Sequence, residues 1–371
     1  MMEKRMDSDQ QKPIPKSFTW GQIHRIIGVL AILFSPTACF GQKTTNSPYF
    51  LSFSGQYGKF QVHTKSLSPF NGTHPRGLEL ELSRLFYTPE IHSQCGCYAK
   101  IGLGLNYYDF NHPDLGQGVT AVFYVEPFFK AKGKFRFSLK GGTGLAWLNH
   151  PYDENTNPQN LTYSSNLSFP LFIGFSTYYF FNSSWAIKST IAFQHLSNGG
   201  IKQPNLGINY PTVSFGLEHA LQPYRVPAVP VPQPFTKEKQ TSLELGFTLK
   251  EDTTHTNNRI VISIHPNRSH QLSRVNAITY GMLLEYEQQE APSISEKLRT
   301  GILFGNEFLM GEFRFGQQIG AYLYTGYSAP SLIFQNYYLN YRFSKHLLVG
   351  THLKAHGRVA EYININVGYV F

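Results

Sequence analysis

Apolar and polar residues alternate along most of the chain in long segments. Between residues 97 and 110 the odd positions are apolar or aromatic and the even positions are polar or small, and the same alternation recurs at 135–148 and 166–180. A period of two gives each β-strand one apolar face and one polar face. Strands of soluble proteins usually have about five or six residues, whereas a strand that crosses a bilayer needs about nine to eleven. The pattern therefore predicts an all-β protein that forms a transmembrane antiparallel β-barrel.

The alternating segments fall into two groups on either side of a proline-rich stretch. The predicted strands lie near residues 48–60, 76–86, 97–110, 117–129, 135–148, 166–180, 185–198, 211–221, 241–250, 258–265, 272–287, 298–310, 312–325, 332–343, 346–356 and 360–371. Residues 223–240 contain five prolines, and proline cannot donate a hydrogen bond to a neighbouring strand. We therefore predict an N-terminal barrel half at 42–222, a Pro-rich connection at 223–240 and C-terminal barrel strands at 241–371.

Two closures of these strands are open at this point. A single barrel of about 14–16 strands is the simpler interpretation. An eight-strand barrel with a second β-domain is the alternative, because the Pro-rich connection directly follows the eighth predicted strand. The sequence shows no convincing repeat between the two halves.

Composition agrees with a membrane barrel. Aromatic residues make up 15% of the chain, with 23 Tyr and 30 Phe, and charged residues are also only 15%. Such a balance suits two girdles of aromatic side chains at the membrane interfaces. The closing Tyr369-Val370-Phe371 resembles the terminal aromatic signal of bacterial outer-membrane barrels. The formal net charge of +9 favours anionic partners, and no nucleic-acid-binding motif is present.

The first 41 residues have the order of regions that a secretory signal peptide requires. Lys4, Arg5 and other basic residues precede an apolar run at 26–34, and small residues follow up to Gly41. The apolar run is too short for an ordinary membrane-spanning helix. We predict cleavage after Gly41 and export to the outer membrane of a Gram-negative bacterium. In an exported chain, Cys95 and Cys97 form either a disulfide or two free thiols, and two sulfurs alone do not make a metal site.

The seventh predicted strand carries the candidate chemistry. Its odd positions are mostly apolar and end with His195 and Ser197. Alternation therefore places this pair on the lipid-facing side, about 6–7 Å apart along the backbone. At that spacing a histidine can serve as general base for a serine hydroxyl. If barrel termini start in the periplasm, odd strands run outward, and this end of the strand lies at the level of the outer leaflet.

The residues around this pair resemble a known family. His195-Leu196-Ser197-Asn198, then Pro204-Asn205 and Gly207-Ile208-Asn209, are similar to the signature of the lipid A 3-O-deacylases, the acyloxyacyl-hydrolase-like barrels of PagL type. The resemblance covers about 20 residues and keeps its spacing throughout. It implies that His195 is the base and Ser197 the nucleophile, and that Asn198 and Asn205 shape the oxyanion site. It also implies that the substrate is lipid A of lipopolysaccharide and that the reaction needs no cofactor.

One position departs from the family pattern. The family has a glutamate that orients the histidine, and this chain has Asn209 there. An asparagine carbonyl can accept the histidine N–H but cannot neutralise the imidazolium that forms during attack. Another carboxylate could substitute; Glu361 is one candidate and Glu218 a second, although alternation makes Glu218 lumenal.

Two further features are candidates for substrate positioning. Lys202 can meet a lipid A phosphate as a point charge, and a solvated loop lysine is the alternative. The segment 353–362 contains His356 and Glu361, which could form an accessory His–Glu site, and Lys354 and Arg358, which could form a basic clamp for phosphates. An ordinary polar loop is the simpler interpretation of that segment.

Taken together, the sequence predicts an outer-membrane esterase that removes an ester-linked acyl chain from lipid A through Ser197 and His195. Neither a metal site nor a cofactor is expected. The alternative is a non-enzymatic outer-membrane barrel, porin-like or structural, in which the hydrolase site has decayed through the change at Asn209.

Overall fold

The fold is described from a computed structural model that covers residues 47–88, 92, 96–226, 236–251, 258–291, 293–357 and 359–371. The predicted signal peptide, Cys95 and Arg358 lie outside these residues. Cys97 is disulfide-bonded. No helix in the described ranges is long and apolar enough to cross a membrane.

Sixteen antiparallel strands make up almost all regular structure of the described chain. In order they are β1 (Tyr49–Gly58), β2 (Arg76–Phe86), β3 (Tyr98–Asp109), β4 (Gln117–Lys130), β5 (Phe135–Leu148), β6 (Leu167–Phe180), β7 (Trp185–Ser197), β8 (Ile208–Ala220), β9 (Lys239–Glu251), β10 (Asn258–Ser273), β11 (Asn276–Glu287), β12 (Leu298–Met310), β13 (Phe313–Thr325), β14 (Ile333–Arg342), β15 (Leu347–His356) and β16 (Val359–Val370). Two 3-10 helices, Lys65–Phe70 and Ser295–Lys297, complete the regular elements.

The strands close into two barrels. β1 pairs with β8 and closes the first barrel, and β9 pairs with β16 and closes the second, each with eight strands in sequence order. The alternative with two β-domains is therefore confirmed, and the single large barrel is not formed. Eight strands already enclose an interior that side chains can fill. Because β8 pairs with β7 on one edge and with β1 on the other, it has no free edge for β9.

Both barrels have their polar face inside. In β1 the even positions are buried and include Ser52 and Ser54, while Leu51 and Phe53 on the odd positions are 42% and 56% exposed. The same pattern runs through the other strands, so an apolar outer surface surrounds two polar interiors. That inversion is the burial pattern of a barrel whose outer solvent is lipid. It confirms the transmembrane antiparallel barrel that the alternation predicts.

Ion pairs fill the interior of the first barrel. Lys100 Nζ lies 2.5 Å from a carboxylate oxygen of Glu218, and Ser52 Oγ donates to the other carboxylate oxygen at 3.0 Å. Lys188 pairs with Glu81 in the same interior. A buried charge is tolerated only when it is paired, so the loss of one partner from these pairs would destabilise the barrel. Glu218 is therefore lumenal, on the side of the wall away from the candidate site.

Three strands, β8, β10 and β11, differ from their predicted bounds by more than two residues, and β11 begins only at Asn276 because β10 extends to Ser273. β8 begins at Ile208, because the residues before Pro211 already pair with β7. β10 continues to Ser273 through Pro266. Its pairing with β11 passes from Ile264 directly to Asn267, so the missing N–H of the proline falls where the ladder is interrupted.

Candidate active site on the outer face of the first barrel

The candidate site lies at the end of β7, which we call the site end of the barrel. His195 and Ser197 share the outward-facing parity of Ile191 and Phe193, which are 63% and 41% exposed. His195 is half-buried, however, and Ser197 is only 4% exposed. The pair is therefore on the outer side of the wall, where His195 remains partly exposed and Ser197 is covered.

Three side chains form a row on this outer face. Ser197 Oγ lies 3.0 Å from His195 Nε2, and Asn209 Oδ1 lies 2.6 Å from His195 Nδ1. Both distances are hydrogen-bonding distances. The arrangement is that of a nucleophile, a base and a group that orients the base.

Strand register brings Asn209 to this position. His195 on β7 is directly opposite Asn209 on β8, so the two side chains share a face and meet across the strands. Gly207, just before β8, packs against the imidazole: a Cβ there would lie 2.8 Å from His195 Cε1. Its φ of +78° is also a left-handed conformation that side chains other than glycine rarely adopt. Glycine at this position therefore serves both the turn and the packing on the base.

The connection between β7 and β8, residues 198–207, is held by its two asparagines. Asn198 Nδ2 donates to Ser164 Oγ and to the Lys202 carbonyl, and its Oδ1 accepts from the Gly200 N–H. Asn205 Oδ1 accepts the Asn198 N–H at 3.0 Å. The polar atoms of the Asn198 side chain are thus bound both within the connection and to Ser164 outside it. The Lys202 side chain is exposed, and only its carbonyl takes part in this network.

The second barrel contacts this connection. The Ile363 N–H on β16 donates to the Gly199 carbonyl at 3.2 Å, and the Gln203 N–H donates to the Glu251 carboxylate at the end of β9. β16 pairs with β9 only from Ile365 onwards, so the Ile363 N–H is available for this bond. The C-terminal end of β9 and the N-terminal part of β16 therefore both bind the connection that follows the candidate nucleophile.

Glu361 and His356 do not join the candidate site. Glu361 is engaged in the second barrel by Arg299 at 2.7 Å, Lys250 at 3.1 Å and Lys354 at 3.2 Å, and His356 Nδ1 lies 3.4 Å away. The substitution of Glu361 for the missing family glutamate finds no support, because its carboxylate is held by these cations. The two residues do lie together, as an accessory His–Glu pair would. They belong to a buried ionic cluster, which replaces the polar loop expected at 353–362.

The same cluster bears on the predicted phosphate clamp and on metal binding. Lys354 is buried and pairs with Glu285 at 2.5 Å, so it does not face a ligand outside the barrel. Glu285, Glu287 and Glu361 offer carboxylate oxygens within 4.8 Å of one another. Arginine and lysine side chains already neutralise these carboxylates, so the donor set fits an ion-pair network better than a cation site.

A further side chain, His63, extends this row beyond Asn209, and the sequence alone does not mark it. His63 lies on the chain that continues from β1 alongside β8, where the Gln61 N–H donates to the Asn209 carbonyl at 2.8 Å. The side chain of Asn209 places its Nδ2 at 3.2 Å from His63 Nδ1. His63 Nε2 lies 3.0 Å from the Leu206 carbonyl oxygen. The outward parity of β1 extends to position 63 and could have indicated the face, but only barrel closure indicates the neighbour.

Comparisons with known proteins find family models and solved structures that are similar to this chain. The family model described as lipid A 3-O-deacylase (PagL) matches residues 84–218, and the model described as acyloxyacyl hydrolase, C-terminal domain, matches residues 239–371. Similar solved structures include the outer membrane enzyme PagL, with 20% identity over 44% of this chain and 97% of that chain and a TM-score of 0.27. They also include a triple mutant of the porin from Rhodopseudomonas blastica, with 7% identity over 87% of this chain and 100% of that chain and a TM-score of 0.20. No curated protein matches the chain significantly.

Proposed function

The chain belongs to the lipid A 3-O-deacylase family of outer-membrane β-barrels, and from that premise we propose that it hydrolyses an ester-linked acyl chain of lipid A by Ser/His nucleophilic catalysis. The observation that carries the proposal is the row formed by Ser197, His195 and Asn209 on the outer face. The family name specifies the 3-O position, and we propose that position for this chain too.

The proposed reaction proceeds through an acyl-enzyme. Ser197 Oγ attacks the ester carbonyl carbon while His195 Nε2 accepts the hydroxyl proton. The tetrahedral intermediate then collapses, the bond between the acyl carbon and the sugar oxygen breaks, and His195 gives its proton to that oxygen, which leaves as the free sugar hydroxyl. Water, whose proton His195 Nε2 accepts, then attacks the acyl carbonyl carbon; the bond between that carbon and Ser197 Oγ breaks, His195 returns the proton to Oγ, and the fatty acid leaves. No cofactor takes part in these steps.

The oxyanion that forms during attack needs hydrogen-bond donors nearby. We assign this role to the Gly199 N–H and the Asn205 amide, neither of which donates to another group in the described part of the chain. The Asn198 N–H is already bound to Asn205 Oδ1, so it holds the donor in place rather than serving as one. Asn198 thus acts indirectly, by fixing the connection.

The substrate reaches the site from the lipid. The row lies on the outer side of the wall, and the surrounding exposed side chains are apolar, so acyl chains can lie against this face. We propose that Lys202 meets a phosphate of lipid A from the connection above the site. The site then lies in the outer leaflet, where ester bonds adjoin the sugar headgroup.

The non-enzymatic alternative has less support. A porin-like role needs an open interior, and the described interior of the first barrel contains buried ion pairs such as Lys100–Glu218 and Lys188–Glu81. A decayed site would also be expected to lose its hydrogen bonds, whereas the row keeps both of them.

Mass spectrometry of lipid A tests the proposal. Cells that produce the protein should yield lipid A that lacks one ester-linked acyl mass, and Ser197→Ala should abolish the change. Ser189→Ala is the matched control, because Ser189 has the same parity on the same strand but lies away from the histidine. Unchanged lipid A with the intact protein in the outer membrane would refute the function.

We further propose that residues 1–41 are removed on export. The intact mass of the protein purified from outer membranes should correspond to a chain that begins at Gln42. A mass that includes the N-terminal 41 residues would contradict this part of the proposal.

A further inference from the structure

We infer that His63 is a positioning residue that fixes the orientation of the Asn209 amide and thereby makes His195 the base. This inference deepens the proposed function and rests on its Ser/His chemistry. It starts from the hydrogen-bond chain that continues beyond Asn209 to His63 and ends at the Leu206 carbonyl.

An asparagine can orient a catalytic histidine in two ways, and only one of them supports catalysis. If the amide oxygen faces His195, the imidazole carries its proton on Nδ1 and offers Nε2 to the serine hydroxyl. If the amide is rotated by 180°, its NH₂ group faces Nδ1, the proton moves to Nε2, and the base is lost. A carboxylate has two equivalent oxygens and does not face this choice. Replacement of the family glutamate by Asn209 therefore creates a need for a group that selects one orientation.

The Leu206 carbonyl determines which orientation of the Asn209 amide is adopted, because it fixes the tautomer of His63. A carbonyl oxygen can only accept, so His63 Nε2, at 3.0 Å, must donate to it. His63 Nδ1 in the neutral imidazole is then an acceptor, and at 3.2 Å it takes the N–H of Asn209 Nδ2. Asn209 Oδ1 consequently faces His195.

The direction of every proton in the row follows. His195 Nδ1 donates to Asn209 Oδ1 at 2.6 Å, and His195 Nε2 is free to accept from Ser197 Oγ at 3.0 Å. In this tautomer of His63, Nδ1 lies 3.3 Å from the Gln61 carbonyl oxygen without a proton between them. The opposite tautomer would satisfy Gln61 but would leave Nε2 and the Leu206 oxygen facing each other as two acceptors and would press two N–H groups together at Asn209.

A cycle of variants separates this role from a structural one. His63→Ala should lower the rate at which Ser197 reacts with a fluorophosphonate probe roughly tenfold, which corresponds to about 1.4 kcal/mol. His63→Gln should restore most of the rate, because its amide can accept from Asn209 and donate to Leu206. In the Asn209→Asp background, His63→Ala should change the rate by less than about twofold. His74→Ala is the matched control, since that ring bonds to Gly58 and lies outside the row.

Selective ¹⁵N-histidine NMR in detergent micelles gives a readout that does not depend on turnover. His195, assigned through His195→Asn, should show the Nδ1–H tautomer in the intact protein and a mixture of tautomers in His63→Ala. An unchanged tautomer, or an equal loss in the Asn209→Asp background, would overturn the inference. If lipid A stays unmodified while the probe rates and tautomers behave as expected, the substrate proposal fails and the role of His63 stands.

Discussion

The substitution Asn209→Asp tests whether the uncharged amide at position 209 limits the proposed catalytic row. Aspartate has the shape of asparagine, so its oxygen can keep the 2.6 Å contact with His195 Nδ1 while the side chain gains a negative charge. Glutamate, the residue of the family pattern, is one methylene longer, so its carboxylate would not occupy the position of Asn209 Oδ1 without a change in the side-chain path. Asn209→Asp therefore changes the charge with the least change in geometry.

The expected gain follows from the charge that develops on His195. When the imidazole takes the serine proton, it becomes a cation about 4 Å from the new carboxylate, and at an effective dielectric constant of about 20 their attraction is about 4 kcal/mol. That energy corresponds to about a 10³-fold change in rate, somewhat below the roughly 10⁴-fold effect of the converse change in a serine protease triad. Burial of the new carboxylate opposes part of it, because Asn209 is half-buried. We expect a net gain between about 10² and 10³.

The assay is acyl release from lipid A in vesicles under single-turnover conditions, with fluorophosphonate labelling in parallel. Asn111→Asp is the matched control, because it adds the same charge in an exposed turn at the same end of the barrel and does not touch the row. A folded Asn209→Asp protein that reacts no more than about twofold faster than the parent would refute the reasoning, since the third position would then not limit the base.

Three further outcomes are expected. Gly207→Ala should lower kcat at least about tenfold because its Cβ would meet the imidazole, whereas Gly133→Ala, with a similar φ of +84° and open space, should only destabilise the fold by about 1–2 kcal/mol; acyl-release rates and urea unfolding compare the two. Lys202→Ala should raise KM several-fold for phosphorylated lipid A and leave it unchanged for dephosphorylated lipid A, as steady-state kinetics would show. Lys100→Met should lower the free energy of unfolding by about 3–5 kcal/mol because Glu218 loses its buried partner, and the added change Glu218→Gln should recover part of it in urea titrations.

Most of the fold can be predicted from alternation alone, because a lipid-facing strand obeys one rule at every second residue. The bounds of β2 and β5 agree with the predicted segments, and so does the outward face of β7. Closure is not predictable in this way. The β8 strand alternates equally well whether its free edge pairs with β1 or with β9, and the pairing depends on tilt and register, which have no signature in a single strand.

The candidate site also contains some residues whose positions can be predicted from single strands and others whose positions cannot. His195 and Ser197 are two residues apart on one strand, so their common face can be read from the sequence. The proximity of Asn209 to His195 can also be predicted from the sequence, because β7 and β8 are consecutive strands. Asn198 and Asn205 lie in the connection that follows Ser197, but their hydrogen bonds depend on the path of that connection, which the sequence does not show. The ion pairs of Glu361 cannot be read from the sequence either, because an isolated carboxylate does not show which cations surround it.

The pairing of β1 with β8 closes the first barrel and also determines the direction of the hydrogen bonds in the proposed catalytic row. The chain after β1 runs beside β8 only because these strands are neighbours, and that contact brings His63 to Asn209. In a single barrel of sixteen strands in sequence order, β1 would pair with the last strand instead, and no group from β1 could fix the amide. We therefore expect asparagine in place of glutamate to support the proposed catalysis in an eight-strand barrel with a histidine at position 63, and the two residues should be considered together wherever this site is redesigned.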